Sequence, residues 1–172
     1  LENLVQKEQG FTIAAQHAEK MFLSAQYYIR NFAEDRLFPV LFRHKQGYKE
    51  AIRAAQESIK TGSQAIRLFI MLFEQGVGLQ EAIQAAETLM TSEDYAARSG
   101  AIDLFAELFK KGVGFEEALR SAQKEIQSKE TKRRVSALRL FKLLVDNDYA
   151  FKEAAQTIQY IHLKGEDDDA WS

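Results

Sequence analysis

The stretch AIDLFAELFKKGVGFEEALRSA at 101–122 decides how this chain is read, because two other stretches nearly repeat it. They are AIRLFIMLFEQGVGLQEAIQAA at 65–86 and ALRLFKLLVDNDYAFKEAAQTI at 137–158. Ala65, Ala101 and Ala137 follow one another at steps of 36, and so do Phe69, Phe105 and Phe141, and Leu79, Phe115 and Phe151. Self-similarity at a fixed period of this size marks an array of supersecondary units that bury their apolar faces against one another.

Working outward, LFPVLF at 37–42 is the counterpart of LFIMLF at 68–73, and GFTIAAQHA at 10–18 resembles GFEEALRSA at 114–122. Apolar residues recur at spacings of three and four, the period of an amphipathic helix. The pattern predicts a short helix over 2–9 ending at Gly10, then helices over 11–23 and 25–45. It continues with 48–60, 64–75, 79–91, 95–110, 115–128, 132–146 and 149–163. Pro39 stands where the next copy has Ile70. A proline inside a helix removes a backbone donor and crowds the preceding turn, so a kink is expected near 35–39. Thr61 with Gln64 fits a capping box, and Asp94 and Thr131 are candidate N-caps.

Gly76-Val77-Gly78 and Gly112-Val113-Gly114 read as tight joints, the first glycine left-handed at a helix C-terminus and the second bending into the next helix. A phosphate-binding loop is disfavoured, since the flanking glycines, Lys and Ser/Thr are missing. The first copy has Lys45 and Gly47 at the two positions, the last has Asp148 and Ala150, and the last turn is therefore expected to be looser. One marker position per helix sharpens the unit. Counting from Glu34 to Ala51, Ala65 to Ala82, Ala101 to Ala118 and Ala137 to Ala154, the step across the joint is 17 in all four copies. The other loops, near 23–24, 61–63, 92–94 and 129–131, vary in length. Glu34 breaks the alanine rule. Either the first pair packs more loosely, or its helix turns by one residue so that Ala33 faces inward.

The composition fits a soluble helical chain: 172 residues, 46% hydrophobic, 28% charged, with Pro39 the single proline. No apolar run approaches the ~20 residues of a membrane span. The absence of cysteine excludes disulfides and thiolate chemistry and fits a cytoplasmic location. The net charge of −2 contains −4 from Glu166, Asp167, Asp168 and Asp169, so the rest is only mildly basic and compels no nucleic-acid or membrane partner. The chain opens on Leu1 and not Met, as a missing native N-terminus or a cloning remnant would each produce.

Arg98, Ala101 and Phe105, and again Arg134, Ala137 and Phe141, place an arginine, an alanine three on and a large apolar residue four further. This resembles the second helix of HEAT repeats. Ala65 and Phe69 match with Gly62 in the arginine's place, and the first copy has Asn31, Glu34 and Phe38. The resemblance covers about 11–163 and implies an all-α, right-handed α-solenoid of antiparallel helix pairs, HEAT/armadillo-like, with about four pairs plus terminal helices. It implies that the arginine pairs with an acidic loop residue, Asp94 or Glu130 here, and that second helices line an inner surface. The domain expectation is one repeat domain over 1–163, alone or as part of a longer array, and an acidic, disordered tail over 164–172 with Trp171 free or docking back. The final helix lacks its partner; an exposed stripe including Ile158 and Ile161 would argue for truncation or dimerisation.

Catalytic and cofactor chemistry finds no foothold. His17, His44 and His162 fall in different repeats, and a metal site needs three or four converging ligands. Glu116–Glu117 and Glu93–Asp94 sit beside helix N-termini, where negative charge is stabilised without any catalytic role. The recurring phenylalanines read as core, with Tyr27 and Tyr28 outside the pattern as cap or contact. One column looks exposed: Arg36, Arg67, Asp103 and Arg139, two past the marker, with Lys142 three further on. It reads either as ion pairs of Asp103 with Arg67 or Arg139, or as a ridge for an acidic peptide or phosphates. A basic cluster, Lys129, Lys132, Arg133, Arg134, Arg139 and Lys142, overlaps it. The expectation is therefore a non-enzymatic scaffold without metal or cofactor, holding a protein or peptide along Arg36, Arg67, Asp103, Arg139 and Lys142. The alternative is a nucleic-acid binder using the same arginines and the cluster at 129–142.

Overall fold

Helix formers and the period of three and four give helices throughout the described residues of a computed structural model, with no strand among them. The structure describes residues 2–61 and 65–163, with side chains at 8–59, 65–157 and 159. In order come α1 (Glu2–Phe22), α2 (Tyr27–Phe32), a π-helical turn (Ala33–Leu37), α3 (Phe38–Arg43), α4 (Tyr48–Thr61) and α5 (Ile66–Glu74). They are followed by α6 (Leu79–Met90), α7 (Tyr95–Lys110), α8 (Phe115–Glu125), α9 (Thr131–Asp146) and α10 (Phe151–Leu163). The chain is all-α, and no helix among the described residues is long and apolar enough to cross a membrane.

Gly10 does not end a helix. It lies inside α1, exposed, and an added Cβ there would meet nothing within 4 Å. A mid-helix glycine costs ~1 kcal/mol against alanine, which the twenty other residues of α1 carry easily. Asp94 caps α7, its carboxylate accepting from the Ala96 N–H at 2.9 Å. At α9 the cap lies one residue earlier than expected: Glu130 holds the position, Thr131 is already helical, and Ser128 Oγ accepts the Glu130 N–H. The capping box of Thr61 with Gln64 lies outside the described residues.

Four joints share one set of bonds. The N–H of Gln46, Val77, Val113 and Tyr149 donates to the carbonyl of Leu41, Leu72, Leu108 and Leu144, at 3.0, 3.1, 3.2 and 2.9 Å. One residue earlier, Lys45, Gly76, Gly112 and Asp148 donate to Phe42, Phe73, Phe109 and Val145. These are the two bonds of a Schellman motif, which satisfy carbonyls that a helix end leaves open. The second left-handed residue, Gly47, Gly78, Gly114 or Ala150, accepts the first bond of the next helix, from Ala51, Ala82, Ala118 or Ala154. Lys45, Asp148 and Ala150 adopt φ of 58°, 58° and 60°, so the last joint keeps the geometry of the glycine joints and is not looser. The buried leucine beneath each joint and the bond set hold the backbone there against the steric cost of a Cβ.

Pro39 acts on the turn before it. The 33–37 segment is π-helical, which opens the i→i+4 ladder where the proline has no donor and its ring would strike the preceding carbonyl. The extra residue brings Ala33 into the marker place, with Glu34 buried beside it. Ala33 joins Ala51, Ala65, Ala82, Ala101, Ala118 and Ala137, all fully buried, where a small side chain lets helices approach. Past the turn the register returns, and Phe38 is buried like Phe69, Phe105 and Phe141. Each such ring contributes ~1.5–3 kcal/mol.

The chain divides into two compact units, Leu1–Ala82 and Ile83–Ser172, with the boundary inside α6. In the first, α1 packs on α2, the π-turn, α3 and α4, and α4 packs on α5. In the second, α9 packs on α7, α8 and α10. Arg53 of α4 holds Glu19 of α1 with two bonds of 3.0 and 2.8 Å, and Arg120 of α8 reaches Glu87 of α6 at 3.4 Å. Arg53 and Arg120 stand two past Ala51 and Ala118, and Glu19 and Glu87 stand five past Ala14 and Ala82, a column that the recurring alanines could have exposed.

Candidate binding surface

The five expected binding residues are all exposed: Arg36 in the π-helical turn and Arg67 on α5 in the first unit, Asp103 on α7 and Arg139 and Lys142 on α9 in the second. Their immediate partners differ. Arg67 Nη2 forms an ion pair with Asp35 at 3.0 Å, with its Nε 4.0 Å from Glu34. Asp35 stands two past Ala33, the true marker, so the π-turn puts an acid where the sequence spacing put Arg36. Arg36 itself has no carboxylate partner among the described residues. In the second unit Arg139 does not pair with Asp103; its Nη1 donates to the Tyr95 hydroxyl at 2.7 Å and its guanidinium lies 6.0 Å from that ring's centre. Lys142 bonds Asp146 one turn on.

The basic cluster at 129–142 is largely occupied. Glu125 is 1% exposed and holds Arg133 through two bonds of 2.6 and 2.9 Å, which raise the Arg133 pKa above its ordinary value. Arg134 Nη1 donates to the carbonyls of Ser128 and Lys129, and its Nη2 to Thr131 Oγ1. Lys129 and Lys132 remain as exposed cations without a bonded partner among the described residues.

Arg98 repeats the Arg134 arrangement one copy earlier. Fully buried, it donates through Nη1 to the carbonyls of Ser92 and Glu93 at 2.6 and 2.9 Å and through Nε to Ser136 Oγ at 3.0 Å. The resemblance implied an acidic side-chain partner. The Arg98 guanidinium instead closes the loop through its backbone, and the Asp94 carboxylate is taken up by the helix cap. An exposed loop gives a carboxylate water to bind, whereas carbonyls turned inward have only the guanidinium.

His17 and His44 are exposed, the His44 ring lying tilted 4.9 Å from that of Phe11, and the His162 side chain lies outside the described residues. Among the described residues no three His, Cys, Asp or Glu come together as metal ligands. Glu34 is the group whose electrostatics stand out. Burial raises its pKa above the ordinary 4.5 and Asp35 adds to the rise, while Arg67 and Arg30 oppose it. Its Oε1 is buried and accepts no hydrogen bond.

Phe32 and Val40, which the repeat pattern does not single out, are 49% and 42% exposed, with Tyr27 and Tyr28 earlier on α2 at 59% and 86%. Spacing of four through Tyr28, Phe32, Arg36 and Val40 was the available signal, hidden by the proline between the last two. Side chains of Ile158 and Ile161, and all of Trp171, lie outside the described residues. Comparison with protein-family models, curated proteins and solved structures returns no match to this chain.

Proposed function

We propose that this chain is a HEAT/armadillo-like right-handed α-solenoid acting as a non-catalytic scaffold that holds a protein or peptide along its second helices. The recurring joint and the arginine–glutamate pairs between neighbouring first helices support the array. Stacked repeats offer extended surfaces, and the usual occupant of such a surface is another polypeptide.

One observation carries the binding surface. Arg36, Arg67, Asp103, Arg139 and Lys142 are all exposed on helices whose marker and phenylalanine positions are buried. The second helices thus divide into a face fixed by packing and a face free of it. Phosphate-backbone binding is the weaker reading, because Arg133, Arg134, Arg67 and Lys142 already have partners.

Reversing Arg36, Arg67 and Arg139 to glutamate together is the test. The expected result is loss of partner capture, with far-UV circular dichroism unchanged; undiminished capture removes the assignment. A salt titration with duplex and single-stranded probes separates the alternative, since phosphate contacts must strengthen at low ionic strength. No binding there is expected.

A further inference from the structure

Large apolar side chains are usually withdrawn from the surface of a helix that packs, yet α2 and α3 carry several outward. Tyr28, Phe32 and Val40 are exposed at 86%, 49% and 42%, and Arg36 is exposed between the last two. In an unbroken α-helix, steps of four drift around the axis. The π-turn at 33–37 rotates less per residue and keeps these residues closer to one line. Twelve residues of helix extend about 18 Å, roughly three turns of a partner helix. Tyrosine and arginine among apolar groups are the side chains that dominate binding energy at protein interfaces.

Charge narrows the occupant. The turn itself carries Glu34, Asp35 and Arg36, Arg30 and Arg67 act on Glu34 from α2 and α5, and Asp35 is ion-paired with Arg67. Glu34 is buried and Asp35 is taken up by Arg67, so Arg36 is the exposed charge of the turn with no carboxylate partner among the described residues. Resting on the second-helix reading above, we infer that the stripe Tyr28, Phe32, Arg36 and Val40 docks an amphipathic helix of a partner protein, which sets a carboxylate against Arg36. A straight apolar line suits the anchors that a helix presents at successive turns.

The test selects displayed helix-forming peptides on the full chain, then measures the enriched peptides by fluorescence anisotropy. Wild type is compared with Tyr28→Ala/Phe32→Ala, Arg36→Glu, and Arg139→Glu/Lys142→Glu; all these positions are exposed, and circular dichroism checks each fold. Enriched peptides should combine apolar residues at helical spacing with a recurring Asp or Glu. The first two variants should each weaken binding about tenfold or more. Exchanging the peptide's acid for Lys should recover binding to Arg36→Glu. Peptides indifferent to these variants, or no enrichment, overturn the inference. If binding falls only in Arg139→Glu/Lys142→Glu, the second-helix reading stands and this stripe is not the site. Self-association, or binding to phosphatidylserine vesicles, that Tyr28→Ala/Phe32→Ala alone abolishes makes the occupant a second copy or a lipid surface, and also overturns it.

Discussion

Two glutamates are buried among the described residues, and their surroundings set opposite consequences. Glu125 gives both oxygens to Arg133, whereas Glu34 keeps one oxygen without a hydrogen bond. Removing the cation from a buried pair leaves an uncompensated charge, so Arg133→Ala should destabilise by about 3 kcal/mol in urea denaturation. Glu125→Gln/Arg133→Met should recover part of that loss. For Glu34 the folded pKa lies above the unfolded 4.5, so folding takes up a proton. Its contribution is complete below the unfolded pKa and is lost as pH rises through the folded one. Glu34→Gln should therefore match wild type near pH 4 and exceed it by about 1 kcal/mol at pH 7. A gap that stays constant across this range would show that the carboxyl does not titrate with folding.

At the scale of elements, the helices and the joint were legible because each rests on short-range chemistry. Apolar spacing placed the helices, and Gly76, Gly78, Gly112 and Gly114 announced left-handed backbone. What escaped was context. Lys45, Asp148 and Ala150 take the same backbone without glycine, since the two carbonyl-closing bonds of each joint and the leucine beneath outweigh a local preference. Pro39 signalled a kink, but spacing could not say that one added residue would bury Ala33 and Glu34 together and place Asp35 beside Arg67. Gly76→Ala, whose Cβ meets nothing within 4 Å, isolates the backbone term and should cost about 1–2 kcal/mol. Ala150→Gly should instead stabilise by about 0.5–1 kcal/mol. Equal effects from the two, read by thermal or urea unfolding, would mean the last joint is not left-handed.

For the whole molecule, the candidate surface was less legible than the fold, because exposure and pairing depend on neighbours far apart in sequence. Arg139 finds Tyr95 44 residues away and Arg53 finds Glu19 34 residues away, distances over which the repeat gives only a column and no partner. The recurring unit that the columns did identify is the joint, and its sameness in all four copies underlies both the fold and the proposed array. Amide hydrogen exchange across the chain measures this directly. The N–H groups of Gln46, Val77, Val113 and Tyr149, each bonded to a leucine carbonyl, should all be protected well beyond their exposed neighbours. Protection of Val77 and Val113 with free exchange at Gln46 and Tyr149 would contradict it, leaving a joint that exists only where glycine does.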